Sequence, residues 1–225
     1  MTHTFLPVIT VSFPEVSLRV RDAHKLRGYI GNLFREHSPL LHNHFEDGSS
    51  RYEYPKVQYK VLRNVPYLVG IGDEASRLMG ELFMQLKELD IDGQKIPLLN
   101  KNIDANVYKI GLTEQLNFYR FETLWMALNQ DNHRKYMSYE PAQQADQLRG
   151  IATQHILKML DACGLRLQPD ERLMVALQRV RPTETMFKNQ RMLAFGAEIV
   201  VNAELPNLVG IGKSAARGFG TLRKL

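Results

Sequence analysis

The sequence predicts a mixed α+β protein built from two copies of one unit, and three observations carry that expectation. Residues 66–75 read Pro-Tyr-Leu-Val-Gly-Ile-Gly-Asp-Glu-Ala and residues 206–215 read Pro-Asn-Leu-Val-Gly-Ile-Gly-Lys-Ser-Ala, so six of the first seven positions agree at an offset of 140. A shared P-x-L-V-G-I-G at that distance points to an internal duplication. In the first half, β-branched runs and amphipathic stretches follow the order strand, helix, strand, strand, helix, strand, and the second half repeats the strand, helix, strand, strand part before closing on the repeat strand. The whole is 225 residues with 44% apolar content, enough for two small cores that need no staples.

The elements of the first half follow in order. Residues 5–13 are β-branched and read as a strand. Asp22 can cap a helix over 23–36, whose apolar face is Leu26, Ile30, Leu33 and Phe34. A polar stretch with His37, His42 and His44 follows, and Asp47-Gly48 marks a turn. Residues 51–62 alternate. Tyr52, Tyr54, Lys56, Gln58 and Lys60 lie on one side, and Val57, Tyr59 and Val61 on the other, which predicts a strand with a polar, aromatic and cationic face. Residues 65–71 form the next strand. Asp73 opens a helix to about 89 on Ala75, Leu78, Met79, Leu82, Leu86 and Leu89, and strands are expected at 91–99 and 105–110.

The second half repeats the pattern. A strand is expected at 116–128, then a polar loop over 129–140. Pro141 suits a first helical turn, and the helix runs to about 163 on Leu148, Ala152, Ile156 and Met159 before Gly164. Strands at 172–181 and 191–202 flank a basic connection, and the repeat strand leads into a glycine-rich tail. This β-α-β-β-α-β order is the ferredoxin-like (RRM-like) arrangement. Two tandem domains, 1–111 and 112–225, are therefore expected, dividing near Gly111-Leu112-Thr113.

The formal net charge of +5 makes a polyanionic partner plausible. A single cysteine, Cys163, excludes an internal disulfide or a thiolate zinc site and fits a reducing cytoplasm. The N-terminus lacks the pattern of a signal peptide, and no apolar run approaches the ~20 residues of a membrane span.

The tail carries the clearest chemistry. Gly210, Gly212, Gly218 and Gly220 are interleaved with Lys213, Arg217, Arg223 and Lys224, with no carboxylate from 206 to 225. Exposed amides and cations on a glycine-rich backbone make an anion site. The spacing matches neither a P-loop nor a dinucleotide fingerprint: no glycine stands five positions before Gly212, and no βαβ unit follows.

Histidines titrate near neutrality and move protons either way. Beside a phosphate-binding surface they suggest cleavage of RNA by its own 2′-OH, without a metal. His42 and His44 share one face of an extended segment and could instead hold a metal, but no carboxylate cluster completes such a site. His155 reads as a core histidine; His3, His24 and His133 read as solvent-facing. Tyr52 and Tyr54 could stack bases.

The tandem units, the segment Leu41-His42-Asn43-His44, the strand Tyr54-Pro55-Lys56-Val57-Gln58-Tyr59-Lys60 and the terminal Gly210-to-Gly220 loop with its Gly218-Phe219-Gly220 end together resemble the CRISPR-associated protein 6 endoribonucleases of the RAMP superfamily. The order of elements matches over essentially the whole chain. The resemblance implies metal-independent, cofactor-free cleavage of CRISPR precursor RNA within its repeats. It implies that His44 or His42 is the general base or acid, with His44 preferred, that Tyr29 is its partner, and that Lys56 or Arg51 stabilises the phosphorane. The glycine-rich loop, Phe219 included, would contact the RNA backbone with Lys213 and Arg217 on phosphates. The basic hairpin carrying Arg179, Arg181, Lys188 and Arg191 would hold an RNA stem. The implied partners are CRISPR repeat RNA and subunits of a CRISPR effector complex, with a homodimer left open. Two other readings stand beside this one: a non-cutting RNA-binding subunit of the same fold, and an unrelated enzyme with a nucleotide substrate in a closed pocket.

Overall fold

The computed structural model describes residues 1–34, 53–187 and 190–225. The chain divides into two compact units. The N-terminal unit comprises Phe5–Tyr108 together with Ala216–Gly218. The C-terminal unit comprises Met1–Thr4, Lys109–Ala215 and Phe219–Leu225. Three residues of the glycine-rich loop therefore belong to the N-terminal unit. Among the described residues, no helix is long and apolar enough to cross a membrane.

In the N-terminal unit, β1 (His3–Ser12) leads to α1 (Ala23–Leu33), then β2 (Val57–Leu62), β3 (Val65–Ile71) and α2 (Asp73–Gln85). A small hairpin, β4 (Glu88–Ile91) and β5 (Gln94–Pro97), precedes the long β6 (Asn102–Phe121). β3 is the centre, antiparallel to β1 and to β2, and β6 lies beside β1. The apolar stripe read from the sequence does the packing: Leu26 and Ile30 of α1 and Ala75, Met79 and Leu82 of α2 meet Val11, Phe13, Tyr59 and Leu68 in one core.

The C-terminal unit repeats the scheme with β6, α3 (Gln130–Ser138), α4 (Pro141–Ala162), β7 (Val175–Phe187), β8 (Gln190–Glu204) and β9 (Leu222–Lys224). Its strands run in the order β9-β6-β8-β7, all neighbours antiparallel. The two units are thus tandem ferredoxin-like domains in a mixed α+β protein. α4 buries Leu148, Ala152, Ile156 and Met159, and Pro141 opens it as its first residue.

Several expectations need correcting. Residues 129–140 are not a loop: α3 forms there, capped by Asn129, whose side chain accepts from the Asn132 amide at 2.7 Å. The strand expected at 116–128 ends at Phe121, and it is the end of a 20-residue strand that already began at Asn102 and runs on through Gly111. The hairpin of β7 and β8 reaches further than 172–181 and 191–202. The second copy of P-x-L-V-G-I-G is not a strand; only Gly210 bridges, to Thr221. Finally, β2 has no solvent face. Gln58 and Lys60 are as buried as Val57 and Tyr59, because α1 packs on the strand and Gly218 lies against the Tyr59 and Lys60 backbone.

The duplication is nevertheless visible in the backbone. Gly72 and Gly212 occupy equivalent positions and share a φ of +86°. Gly72 caps the 13-residue α2, whereas Gly212 leads only to a single 3-10 turn, Ala215–Arg217.

Candidate nucleic-acid interface

The glycine-rich loop is tied off at its neck. Ile211 donates to the Gly220 carbonyl at 3.0 Å, Gly220 donates to the Leu124 carbonyl at 2.9 Å, and Lys213 donates to the Met126 carbonyl at 3.1 Å. Gly220 has φ +64°, and a β-carbon there would lie 2.0 Å from the Ile211 oxygen. No side chain fits at that crossing. Gly212 faces a similar wall, since its β-carbon would meet the Trp125 Nε1 at 2.7 Å. The close approaches at Gly212 and Gly220 are therefore to the protein's own indole and backbone rather than to an open surface. Beneath them Trp125 is fully buried and donates to His155 Nδ1 at 3.1 Å. Burial, and secondarily the charge of Lys158, hold the His155 pKa down to about 4, so at neutral pH the ring is a neutral acceptor.

From this neck the loop presents Lys213, whose side chain is exposed, then the 3-10 turn, Arg217 and Gly218. Gly218 has φ +88°, and a β-carbon there would sit 3.1 Å from the Tyr59 oxygen, 3.3 Å from Lys60 Cα and 3.3 Å from Ala23 Cβ. The loop backbone is thus laid across β2 and the first turn of α1. Arg27, one turn beyond Ala23 on α1, is half-buried. Burial lowers its pKa, and the Arg217 guanidinium lowers it further. Arg217 is half-buried too, with its pKa lowered by burial. Directly under Gly218, Lys60 is fully buried and donates to the Gln58 Oε1 at 2.8 Å. Desolvation pulls the Lys60 pKa down to about 7. Gln58 in turn donates to the Tyr54 hydroxyl at 3.0 Å and the Pro55 carbonyl at 3.2 Å.

Phe219 follows Gly218 and packs edge-to-face on Phe187, with ring centroids 5.6 Å apart. Phe187 ends β7, so within the C-terminal unit the loop is fastened to the tip of the basic hairpin. Along that hairpin both faces of β7 are exposed from Gln178 to Glu184. Arg181 and Arg191 are exposed, and Arg179, at a bulge with φ +50°, pairs with Glu198 at 2.6 Å. Lys188 lies outside the described residues.

Of the residues expected to do chemistry, His42, His44 and Arg51 lie outside the described residues, as do His37, Tyr52 and the Asp47-Gly48 turn. Tyr29 is half-buried against the core and donates its hydroxyl to the Glu88 carbonyl at 3.2 Å. Burial raises its pKa, and the charges of Glu88 and Asp90 add to the rise. Lys56 stands at the entry to β2, half-buried, with its carbonyl accepting from Ile71 at 2.8 Å. Among the described residues no three side chains of histidine, cysteine, aspartate or glutamate converge as a metal cluster would. Sequence reasoning passed over Arg27. Its signal was its position between Leu26 and Ile30, at the border of an apolar stripe, where a long cation is held partly out of water.

Comparison with known families settles what this architecture belongs to. The Cas6b N-terminal domain family matches residues 4–109, and the Cas6b C-terminal domain family matches residues 111–225. The chain belongs to the Cas6b family. It superposes on a crystal structure of Cas6b with a TM-score of 0.93 at 30% identity, covering 99% of this chain and 100% of that one. A second crystal structure, of a CRISPR RNA processing endoribonuclease Cas6b, gives a TM-score of 0.80 at 26% identity over 99% of this chain and 100% of that chain. An uncharacterised protein of Methanocaldococcus jannaschii is 27% identical over 144 residues, which is 64% of this chain and 97% of that protein.

Proposed function

We propose that this Cas6b-family chain is an endoribonuclease that cleaves CRISPR precursor RNA within its repeats, using the RNA's own 2′-OH and no metal. The observation that carries the reading is the match of both halves to Cas6b domains, together with a glycine-rich loop whose Arg217 charge acts on Arg27 and which carries the exposed Lys213. His44 or His42 takes the proton of the 2′-OH, and the freed oxygen attacks the adjacent phosphorus in line. The bond from phosphorus to the 5′ oxygen breaks, and a second proton donor protonates that leaving oxygen. The products are a 2′,3′-cyclic phosphate and a 5′-OH. Lys56 or Arg51 stabilises the phosphorane, which carries more negative charge than the substrate phosphate. Tyr29 is the catalytic histidine's partner in this reading. The histidines belong to the N-terminal domain, and the glycine-rich loop, apart from residues 216–218, belongs to the C-terminal one.

In this reading Lys213 and Arg217 bind phosphates, while Gly210, Gly212, Gly218, Phe219 and Gly220 give the loop its shape. Arg179, Arg181 and Arg191 lie on a ribbon that an A-form stem can lie along, since such helices are read by shape and backbone, and Lys188 adds a cation to the same RNA-binding set. Processed guides pass to subunits of a CRISPR effector complex in the cytoplasm. The test is a cleavage and binding assay on repeat RNA with His42→Ala and His44→Ala. The reading expects at least one of them to slow cleavage by about 10²–10⁴-fold while leaving RNA affinity within twofold or so. Binding without cleavage by the wild-type protein would move the assignment to a non-cutting RNA-binding subunit.

A further inference from the structure

We propose that Arg27 of α1 and Arg217 of the glycine-rich loop together grip one backbone phosphate of the bound RNA. The inference rests on the RNA-processing reading and adds a residue to it that neither the loop nor the histidine segment supplies.

The geometry begins at Gly218. Its lack of a side chain lets the loop settle within contact distance of Ala23, and its φ of +88° turns the chain so that residues 216–218 join the N-terminal unit. Ala23 and Arg27 are four residues apart on α1, hence on one face of the helix. Arg217 is the residue next to Gly218, and its charge is felt by Arg27. Two half-buried guanidinium groups so placed concentrate positive charge at one spot, which favours a phosphodiester oxygen pair set against both. Arginine suits the task because it stays charged under partial burial and offers a planar fork to two oxygens. Lys25, also on α1, pairs with Asp22 at 2.9 Å and with Asp92, and serves as the control.

The test uses the full chain and a repeat RNA carrying 2′-deoxy at the cut site, so that affinity is read without cleavage. Arg27→Gln keeps much of the length and packing of the side chain without the charge. Arg27→Gln and Arg217→Gln should each weaken binding about tenfold, as expected for losing a hydrogen bond to a charged group. The double variant should fall well short of the product of the two, because both act on the same phosphate. Arg27→Lys should recover part of the loss. Lys25→Ala should bind as the wild type does. Unchanged affinity in Arg27→Gln, or losses that multiply in the double variant, would overturn the pair while leaving the RNA reading intact. Failure of the wild-type protein to bind repeat RNA would overturn both.

Discussion

Lys60 carries an amine where water cannot reach it, and that amine donates to the amide oxygen of Gln58 at 2.8 Å. Burial holds its pKa near 7, against 10.5 when exposed. Between those values the unfolded chain binds more protons than the folded one, so the fold gains stability as pH rises from about 7 toward 10. Below about 7 the folded chain must hold the charge buried and the full cost stands. Lys60→Met removes this dependence together with the hydrogen bond to Gln58 Oε1, a cost that does not vary with pH. The thermal midpoint of Lys60→Met relative to the wild type should therefore be highest near pH 7 and fall steadily by pH 9.5. A difference that stays constant across that range would contradict the buried titration. From the sequence, Lys60 belonged to a solvent face, since alternation assumes that a strand has one wet side. What covers it is Gly218, more than 150 residues further along the chain, and no local pattern reports such an approach.

At the scale of elements, legibility followed the strength of the local signal. α1, α2 and α4 were readable because each carries an apolar stripe at helical spacing, although α2 stops at Gln85 rather than about 89, with Leu86 as its C-cap and Leu89 in β4. α3 was not, because Tyr136 is its one buried residue and the rest of Gln130–Ser138 is polar apart from the exposed Met137. Its signal was the cap at Asn129, which a polar stretch hides. The β7–β8 hairpin was readable in its middle but not in its reach, because a ribbon exposed on both faces needs no apolar alternation. That double exposure also makes it the element to test for RNA docking. Arg181→Glu with Arg191→Glu should weaken repeat-RNA binding by tenfold or more and flatten its salt dependence, by roughly 0.7–0.9 in the log–log slope for each phosphate no longer neutralised. The melting behaviour should change little, since exposed substitutions typically stay within about 0.5 kcal/mol. Unaltered affinity with an unaltered salt slope would remove the hairpin from the interface.

Over the whole molecule, the duplicated P-x-L-V-G-I-G gave away the tandem plan, and the shared φ at Gly72 and Gly212 is its physical trace. The duplication has diverged where chemistry enters. The first copy continues into Asp73 and Glu74 at the start of α2, where acidic residues suit a helix N-terminus. The second continues into Lys213 and Arg217 on a single turn, and the helix is replaced by a cationic loop. The glycines of that loop were expected to free backbone for a ligand. Gly212 and Gly220 instead serve the neck, and Gly218 serves the seat on α1 and β2. The proposed metal-free attack by the RNA's own 2′-OH is the central claim, and its direct test is chemical. Repeat RNA should be incubated with the wild-type protein in excess EDTA, beside the same RNA with one 2′-deoxy nucleotide at the cut site. The account predicts cleavage of the first to a 2′,3′-cyclic phosphate and a 5′-OH, and none of the second at that position. Cleavage of the 2′-deoxy substrate at the same bond, or loss of all cleavage in EDTA, would contradict it.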